Sequence, residues 1–352
     1  MSDPLQKITL SGSPEEIGFQ HGISLAAQIH RNIEFYKPVF FNNLGDEARV
    51  LKAAERQKEQ IKGYNPDYIT EIDHIALGAE ISEPLWLYAL NSRTELTLTK
   101  SSKECTAIVF PRHNKIGQTW DWAQSLENNF VIMEIQFPSG HKILQLTESG
   151  IIGKIGLNSS GLGETLNILW STDSVLLGVP IHIVLRAVLE SQTLEDAKKA
   201  IERSGGGKAS NIIAAQAGRA FNVEFAGSDT FFHEIPEKAY THTNHYLHSP
   251  KPIQIDEKDT ANSRARYTTA VAKLGEVKKF SIPEMITILS DRSEGADSIL
   301  AKNKPDTIGE LGYIGTLATV AMDLDQRTVK VRKGYPSSPS FAFENFTEFR
   351  IG

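Results

Sequence analysis

Residues 104–110 have the sequence Glu-Cys-Thr-Ala-Ile-Val-Phe, a short apolar run with a thiol near its start. The run predicts a β-strand that begins at Cys105, directly after a long helical region. If the peptide bond before Cys105 were cut, the residue would carry its own α-amino group as a base. That amine has a pKa of about 8 and the thiol one of about 8.5, close enough for proton exchange. Taken alone, however, a free cysteine is more often a small buried core residue.

The composition is that of a folded globular protein, with 352 residues of which 40% are hydrophobic and 23% charged. A net charge of −6 without a dense basic stripe argues against nucleic acid as the main partner. The start lacks an apolar core of signal-peptide length, and no run of about 18 apolar residues occurs, so we expect neither secretion nor membrane insertion. Cys105 is the only cysteine. It therefore cannot form an intramolecular disulfide, and the cytoplasm is the expected location.

Upstream of the cysteine, the first hundred residues carry helical signals almost exclusively. Ser13 can cap a helix and Glu16 can close a capping box, and apolar residues then recur at three- and four-residue spacing. Further helices are predicted over residues 46–61, after Pro66 and over residues 84–96. Four helices are thus expected before any strand.

Downstream of the cysteine, short β-rich runs alternate with helical pairs. Strands are predicted at 105–110, 117–122, 130–137, 142–147, 153–158, 163–168, 211–216, 219–225, 240–245, 316–323 and 328–332. Helices are predicted at 180–190, 194–203, 263–274 and 283–289. This order predicts an α+β fold of stacked antiparallel sheets covered by helices.

Five ordered motifs carry a family resemblance. They are Ser13-Pro-Glu-Glu-Ile-Gly-Phe-Gln-His21-Gly22, Asn91-Ser-Arg-Thr-Glu95, Glu104-Cys105-Thr106, Thr119-Trp-Asp121-Trp122 and Thr241-His-Thr-Asn244-His245. Together they resemble the acyl-coenzyme A:6-aminopenicillanic-acid acyltransferase family of self-cleaving N-terminal-nucleophile hydrolases. The resemblance runs over nearly the whole chain. It implies a four-layer αββα sandwich with a helical N-terminal segment.

The resemblance also implies self-cleavage between Glu104 and Cys105. A helical pro-segment, 1–104, and a catalytic core, 105–352, would then stay together as a heterodimer of the two fragments. The family commonly has glycine before the nucleophile, whereas this chain has Glu104. A glutamate has a narrower conformational range than glycine, and its charge raises the pKa of a nearby thiol. We therefore expect slower cleavage, or a different proton acceptor, than in a glycine-containing relative.

Two further residues receive catalytic roles from the resemblance. Asp121 is expected to orient or charge the amine of Cys105, the alternative being a surface carboxylate at a strand end. Asn244 is expected to donate its side-chain N–H to an oxyanion hole, the alternative being an asparagine that satisfies a strand-end backbone. His245 is expected to support Asn244 or fill the core rather than to act as the base.

The same stretch suggests a competing metal site, because histidines occur at positions 242, 245 and 248. On a strand that runs into a loop these positions do not share one face, and no acidic residue or cysteine lies nearby in sequence to complete a tetrahedral set. We therefore expect no metal. The metal-hydrolase alternative predicts bound zinc and activity that survives Cys105→Ala.

Several polar residues are weaker candidates for substrate contact or support. Asn158 and Asn167 flank a glycine-rich hairpin, where asparagines are turn formers first. The others are Thr106, Asn211, Glu224, Arg264, Arg266 and Thr319. For the two arginines, a surface helix face is the favoured interpretation over a bidentate site for a carboxylate or phosphate.

The sequence therefore predicts an enzyme that hydrolyses or transfers the acyl group of a small amide, such as an N-acyl amino acid or a peptide-like molecule, through a Cys105 thioester. No cofactor is expected, although coenzyme A is a candidate co-substrate. We see no glycine loop of the kind that cradles phosphate. The alternative from another class is an uncleaved, catalytically idle binding protein of the same fold.

Overall fold

Two β-sheets stacked face to face form the centre of the fold. The computed structural model of the protein describes residues 5–97, 105–171, 178–236, 238–249, 257–306, 311–336 and 345–352. Within these ranges the first sheet has eight strands, in the spatial order β1 (Lys7–Ser11), β4 (Phe130–Gln136), β5 (Lys142–Glu148), β6 (Ile155–Asn158), β7 (Gly163–Ile168), β8 (Lys208–Gln216), β9 (Arg219–Gly227) and β10 (Asp229–Glu234). The second sheet has the order β11 (Tyr240–His242), β2 (Ala107–Phe110), β3 (Lys115–Ala123), β13 (Tyr313–Asp323), β14 (Thr328–Lys333) and β15 (Phe346–Arg350), and β12 (Lys304–Pro305) pairs with β13.

Helices cover the outer face of each sheet. The helices before Cys105 are α1 (Pro14–Leu44), α2 (Glu47–Tyr64), α3 (Pro66–Gly78), α4 (Leu85–Asn91) and α5 (Arg93–Thr97). Those after it are α6 (Ile181–Glu190), α7 (Leu194–Arg203), α8 (Glu257–Glu276) and α9 (Ile282–Leu289). Helices α6 and α7 pack on the first sheet, and α8 and α9 pack on the second. The predicted α+β, four-layer αββα arrangement is confirmed. None of the described helices is long and apolar enough to cross a bilayer.

The inner faces of the two sheets share the main core. Trp120 of β3 packs edge-on against Phe130 of β4, with ring centroids 5.2 Å apart. The Gln118 side chain of β3 donates to the carbonyl of Leu166 in β7 and accepts from its N–H. A polar side chain is tolerated at this depth because both of its ends are paired with backbone groups.

The structure corrects the prediction that helices precede any strand. Strand β1 comes first and pairs in parallel with β4. It was missed because a five-residue strand with one buried side chain, Leu10, gives too weak an alternation to detect. Strands β10, β12 and β15 were missed as well, and the helix predicted over 84–96 divides at Ser92 into α4 and α5. The capping box of Ser13 and Glu16 is present as predicted.

The segment before Cys105 is bound tightly to the core. Besides the β1 pairing, a buried ion pair joins the two parts: both Nη atoms of Arg186 in α6 donate to the carboxylate of Glu71 in α3, at 2.9 and 2.7 Å. Within the segment, α1 and α3 approach closely at Gly22, where an added Cβ would lie 2.4 Å from the carbonyl oxygen of Ile75. The domain boundary at 104/105 stays a prediction, because Glu104 lies outside the described residues.

Candidate active site

Cys105 lies where the β2–β3 ladder begins. The N–H of Thr119 donates to the carbonyl of Thr106 at 3.0 Å, and the N–H of Thr106 donates to Thr119 Oγ1 at 3.0 Å. Cys105 is 4% exposed and has a φ of 40°. A positive φ in a non-glycine residue costs about 1–2 kcal/mol, because Cβ approaches the following carbonyl oxygen. The backbone is therefore strained at the residue that follows the predicted cleavage site.

Two side chains hold the carbonyl oxygen of Cys105. Asn167 Nδ2 of β7 donates to it at 3.1 Å, and Arg266 Nη1 of α8 donates to it at 2.8 Å. The first donor lies in the first sheet, and the second comes from the helix that covers the second sheet. The peptide unit that follows the strained residue is thus fixed from both sides.

Arg266 is the residue that connects the candidate groups. It is 1% exposed, and its Nη1 also donates to Thr106 Oγ1 at 3.1 Å. Its Nη2 donates to Asn244 Oδ1 at 2.9 Å, and its Nε donates to Asn262 Oδ1 at 2.9 Å. A buried guanidinium with several charge-assisted hydrogen bonds is a rigid positioning element.

Asp121 is a buried carboxyl group, which excludes the surface alternative. Its Oδ1 accepts from Thr316 Oγ1 at 2.6 Å, whereas its Oδ2 has no hydrogen-bond partner among the described residues. Burial raises the pKa of Asp121 to about 6, although Arg266, Thr316 and Lys304 act in the opposite direction. One oxygen of Asp121 is therefore available to a donor such as an amine.

Asn244 follows β11, and three contacts fix its orientation. Its N–H donates to Ser263 Oγ at 2.7 Å, its Oδ1 accepts from Arg266, and its Nδ2 donates to the carbonyl of Ile168 at 2.8 Å. Because a guanidinium can only donate, Oδ1 must face Arg266 and the amide N–H groups must face β7. The oxyanion-hole role of Asn244 stays a prediction.

The three histidines of the competing metal hypothesis have different partners. The Nε2 of His242 lies 2.9 Å from Glu224 Oε1, and the Nδ1 of His245 lies 2.8 Å from Ser263 Oγ. The ring of His248 stacks on His233 with centroids 3.9 Å apart. Burial lowers the pKa of His245 to about 3. Ser263 Oγ also accepts from the N–H of Asn244, so His245 and Asn244 share this hydroxyl as a partner, and the supporting role of His245 stays a prediction.

Arg266 contacts Cys105, Thr106 and Asn244 and acts electrostatically on the carboxyl group of Asp121, whereas three of the other candidates have different partners. Asn158 Nδ2 donates to the carbonyls of Leu189 and Ser191, so it holds a turn. Arg264 is exposed and donates to Thr260 of its own helix. Thr319 accepts from Arg332.

Arg266 is a correction to the sequence interpretation, which favoured a surface helix face for both arginines. That interpretation holds for Arg264 and is wrong for Arg266. The two residues lie two positions apart on α8, about 200° apart around the helix axis, and so occupy different faces. The available signal was the spacing of Ser263, Arg266 and Ala270, all buried, at three- and four-residue intervals.

Sequence reasoning also missed a buried charge cluster made of Tyr36, Arg93, Glu148 and Lys154. Glu148 accepts from Lys154 Nζ at 2.5 Å, from Arg93 Nη2 at 2.7 Å and from Tyr36 Oη at 2.6 Å. Burial opposes ionisation of Glu148, but its partners together lower its pKa to about 2. The signal in the sequence was a lysine at position 154 within an otherwise apolar, glycine-bounded run.

Comparisons with known proteins agree with the predicted family. The family model described as "Acyl-coenzyme A:6-aminopenicillanic acid acyl-transferase" matches residues 111–338. A relative from Emericella nidulans, the acyl-coenzyme A:6-aminopenicillanic-acid-acyltransferase 40 kDa form, is 32% identical over 260 residues, which are 71% of this chain and 72% of the relative.

Solved structures with a similar arrangement are more distant. A mutant of the conjugated bile acid hydrolase from Clostridium perfringens is 10% identical, with a TM-score of 0.47, over 70% of this chain and 92% of that chain. Penicillin V acylase from Agrobacterium tumefaciens is 14% identical, with a TM-score of 0.41, over 65% of this chain and 83% of that chain.

Proposed function

Because the chain belongs to the acyl-coenzyme A:6-aminopenicillanic acid acyl-transferase family, we propose that it is a self-cleaving enzyme with an N-terminal cysteine nucleophile. It cuts the bond between Glu104 and Cys105 and then cleaves or exchanges the acyl group of an amide through a thioester on Cys105. The α-amine released by self-cleavage serves the thiol as its base.

The observation that carries the proposal is the environment of Cys105. Its φ of 40° stores strain next to the scissile bond, and its carbonyl is held by Asn167 and Arg266. Cutting the bond frees the nitrogen of Cys105 and relieves this strain, which favours the shift of the acyl group from nitrogen to sulfur. The strain at Cys105 favours the acyl shift, and it therefore supports cleavage even though Glu104 has a narrower conformational range than glycine.

In the mature enzyme, Asp121 orients the α-amine and Asn244 stabilises the oxyanion. The unpartnered Oδ2 of Asp121 accepts a hydrogen bond from the freed α-amine and orients it toward the sulfur. The amine takes the thiol proton as sulfur attacks the substrate carbonyl, and it returns the proton to the leaving nitrogen. The amide of Asn244, fixed by Arg266, donates to the developing oxyanion.

Hydrolysis and transfer differ only in what attacks the thioester. Water gives an acid and regenerates the thiol, whereas an amine or a coenzyme A thiol gives a new amide or thioester. The relative's name contains an acyl-coenzyme A donor and a penicillin-nucleus acceptor. For this chain we propose a small linear amide as substrate, with coenzyme A as an optional co-substrate and no bound cofactor.

The fragment before the cleavage site stays bound as part of a heterodimer. Strand β1 remains hydrogen-bonded to β4, and the ion pairs of Arg186 with Glu71 and of Arg93 with Glu148 cross between the two fragments. A reducing compartment such as the cytoplasm would keep Cys105 a free thiol.

The test combines intact mass with acyl trapping. Wild type should give fragments 1–104 and 105–352, whereas Cys105→Ala should stay a single 38.9 kDa chain. A panel of N-acyl amino acids and small peptides is then incubated with the processed enzyme. Because Cys105 is the only cysteine, any acyl-thioester found by mass spectrometry must be on it. A wild-type chain that stays whole and forms no adduct with any member of the panel would establish the idle binding protein instead.

A further inference from the structure

Besides the partners of its carbonyl, Cys105 has a buried lysine, Lys154, within electrostatic reach. The hydrogen bonds between Thr106 and Thr119 extend the antiparallel β2–β3 ladder, so its register places Cys105 opposite Trp120. Trp120 lies on the inner face of the second sheet, where its ring contacts Phe130 of the first sheet. The backbone of Cys105 is therefore next to that of Trp120, since directly opposite residues have Cα atoms about 4.5–5.5 Å apart.

A buried lysine lies against the Trp120 ring. The Nζ of Lys154 lies 3.3 Å from the centroid of the Trp120 ring and 2.5 Å from Glu148 Oε1, and the lysine side chain is 1% exposed. The cysteine also acts electrostatically on the pKa of Lys154, which burial lowers to about 7 against the opposing effect of Glu148. An amine with a pKa in this range is partly unprotonated at neutral pH and can accept a proton.

The other groups around Lys154 do not compete for that role. Arg93 donates to Glu148 and cannot act as a base. Tyr36 donates to Glu148, and burial raises the pKa of its hydroxyl well above the usual value. Burial, together with Arg93 and Lys154, lowers the pKa of His182 well below the usual value, and its ring contacts the carbonyl of Gly153.

The uncleaved precursor needs a proton acceptor for the Cys105 thiol other than the α-amine. Before cleavage the nitrogen of Cys105 is part of the peptide bond to Glu104 and is not a base, so the thiol requires another proton acceptor. Asp121 contacts Thr316 and is within electrostatic reach of Arg266, which belongs to the layer outside the second sheet. Lys154 instead lies against the Trp120 ring on the inner face of the second sheet, within electrostatic reach of Cys105.

We infer that Lys154 is the proton acceptor for the Cys105 thiol during self-cleavage. The Nζ takes the thiol proton, and the sulfur attacks the carbonyl carbon of Glu104. The bond between that carbon and the nitrogen of Cys105 breaks, and Nζ returns its proton to the departing nitrogen. Water then hydrolyses the thioester to give the carboxyl group of Glu104 and the thiol. The inference rests on the proposed function, since it requires Cys105 to be the nucleophile.

The test follows processing of freshly translated precursor as a function of pH, using Lys154→Arg and Lys154→Met. Arginine keeps the charge near Glu148 but cannot accept a proton, so both variants should process about 10²–10⁴-fold more slowly than wild type. The wild-type rate should rise with pH through a value near 7, and that of the variants only near the ordinary thiol pKa of about 8.5. Once processed, the variants should keep kcat/KM within about tenfold of wild type, because the α-amine is then the base.

Lys208→Met is the matched control. Lys208 is also a buried lysine, and burial lowers its pKa to about 8, but it donates to the carbonyls of Gly205 and Gly206. Its loss should leave the processing rate at the wild-type value, with thermal unfolding as the check on folding.

The possible outcomes distinguish failure of the Lys154 role from failure of the proposed function. Processing of Lys154→Arg at the wild-type rate, or an equal fall in processing and in mature turnover, would overturn the role of Lys154 and leave the proposed function intact. A wild-type chain that never cleaves would overturn both. If Lys154→Met does not fold, Lys154→Arg and the wild-type pH profile decide the question, because a wild-type rate without a step near pH 7 contradicts the inference.

Discussion

Replacing Arg266 with methionine tests the candidate site most directly. The change removes the donors to the Cys105 carbonyl and to Asn244 Oδ1 but keeps an apolar side chain of similar length in the same space. Without the guanidinium, the Asn244 side chain keeps only its contact with the carbonyl of Ile168 among the described residues, and in the proposed mechanism its N–H groups are less firmly held toward the oxyanion. Losing an oxyanion-hole donor costs about 10²–10³ in rate. We therefore expect kcat to fall by about that factor with little change in KM.

Stability should fall as well. Hydrogen bonds from a charged donor contribute about 1.5–3 kcal/mol each, and Arg266 makes two that hold the site together. Because burying the guanidinium itself costs free energy, we expect a net loss of about 2–4 kcal/mol in the free energy of unfolding. Urea unfolding measures this loss in the free energy of unfolding and shows whether the variant is folded in the activity assay.

A second readout depends on Asp121. Arg266 is one of the groups that oppose the effect of burial on the Asp121 pKa, which lies at about 6. In the proposed mechanism Asp121 acts as the anion, so we expect activity to be lost as the pH falls through that pKa. Removing Arg266 raises the pKa, and the acid limb of kcat/KM should therefore move to higher pH. A general loss of stability would not move that limb.

Arg264→Met is the matched control, since Arg264 lies on the same helix, is exposed and donates to Thr260. We expect less than a twofold change in kcat/KM and an unmoved acid limb. An Arg266→Met variant with kcat within about threefold of wild type and an unshifted limb would refute the role given to Arg266.

Two other predictions address the acid limb and the N-terminal segment. Asp121→Asn should remove the limb of kcat/KM near pH 6, because the titrating group is gone; a limb that persists in the pH profile would assign it to another group. Gly22→Ala should destabilise the fold by about 1–3 kcal/mol, because its Cβ would meet the backbone of α3 at Ile75. Gly63→Ala in α2, where an added Cβ would have no atom of another described element within 4 Å, should instead stabilise the fold by up to about 1 kcal/mol. Equal shifts of both melting temperatures would contradict the packing argument.

The elements predicted well are those whose signals lie in contiguous residues. The capping box of Ser13 is a four-residue pattern, and the strands at β4 and β5 follow alternating or continuous apolar runs. Strand β1 was missed because its stability comes from pairing with residues more than 120 positions away. A pattern within a few neighbouring residues cannot predict a strand pairing over such a sequence distance.

The sequence by itself determined the fold class and the positions of Asp121 and Asn244 within their motifs, and it predicted a strand from Cys105 that in the structure begins two residues later, at Ala107. Only the tertiary structure decided that Arg266, 161 positions from Cys105 in the chain, holds its carbonyl. The packing of the two sheets likewise brought Lys154 to the ring of Trp120. Helix and strand periods depend on neighbours a few residues apart, whereas the charge and hydrogen bonding around a reacting atom depend on which distant surfaces the fold packs together.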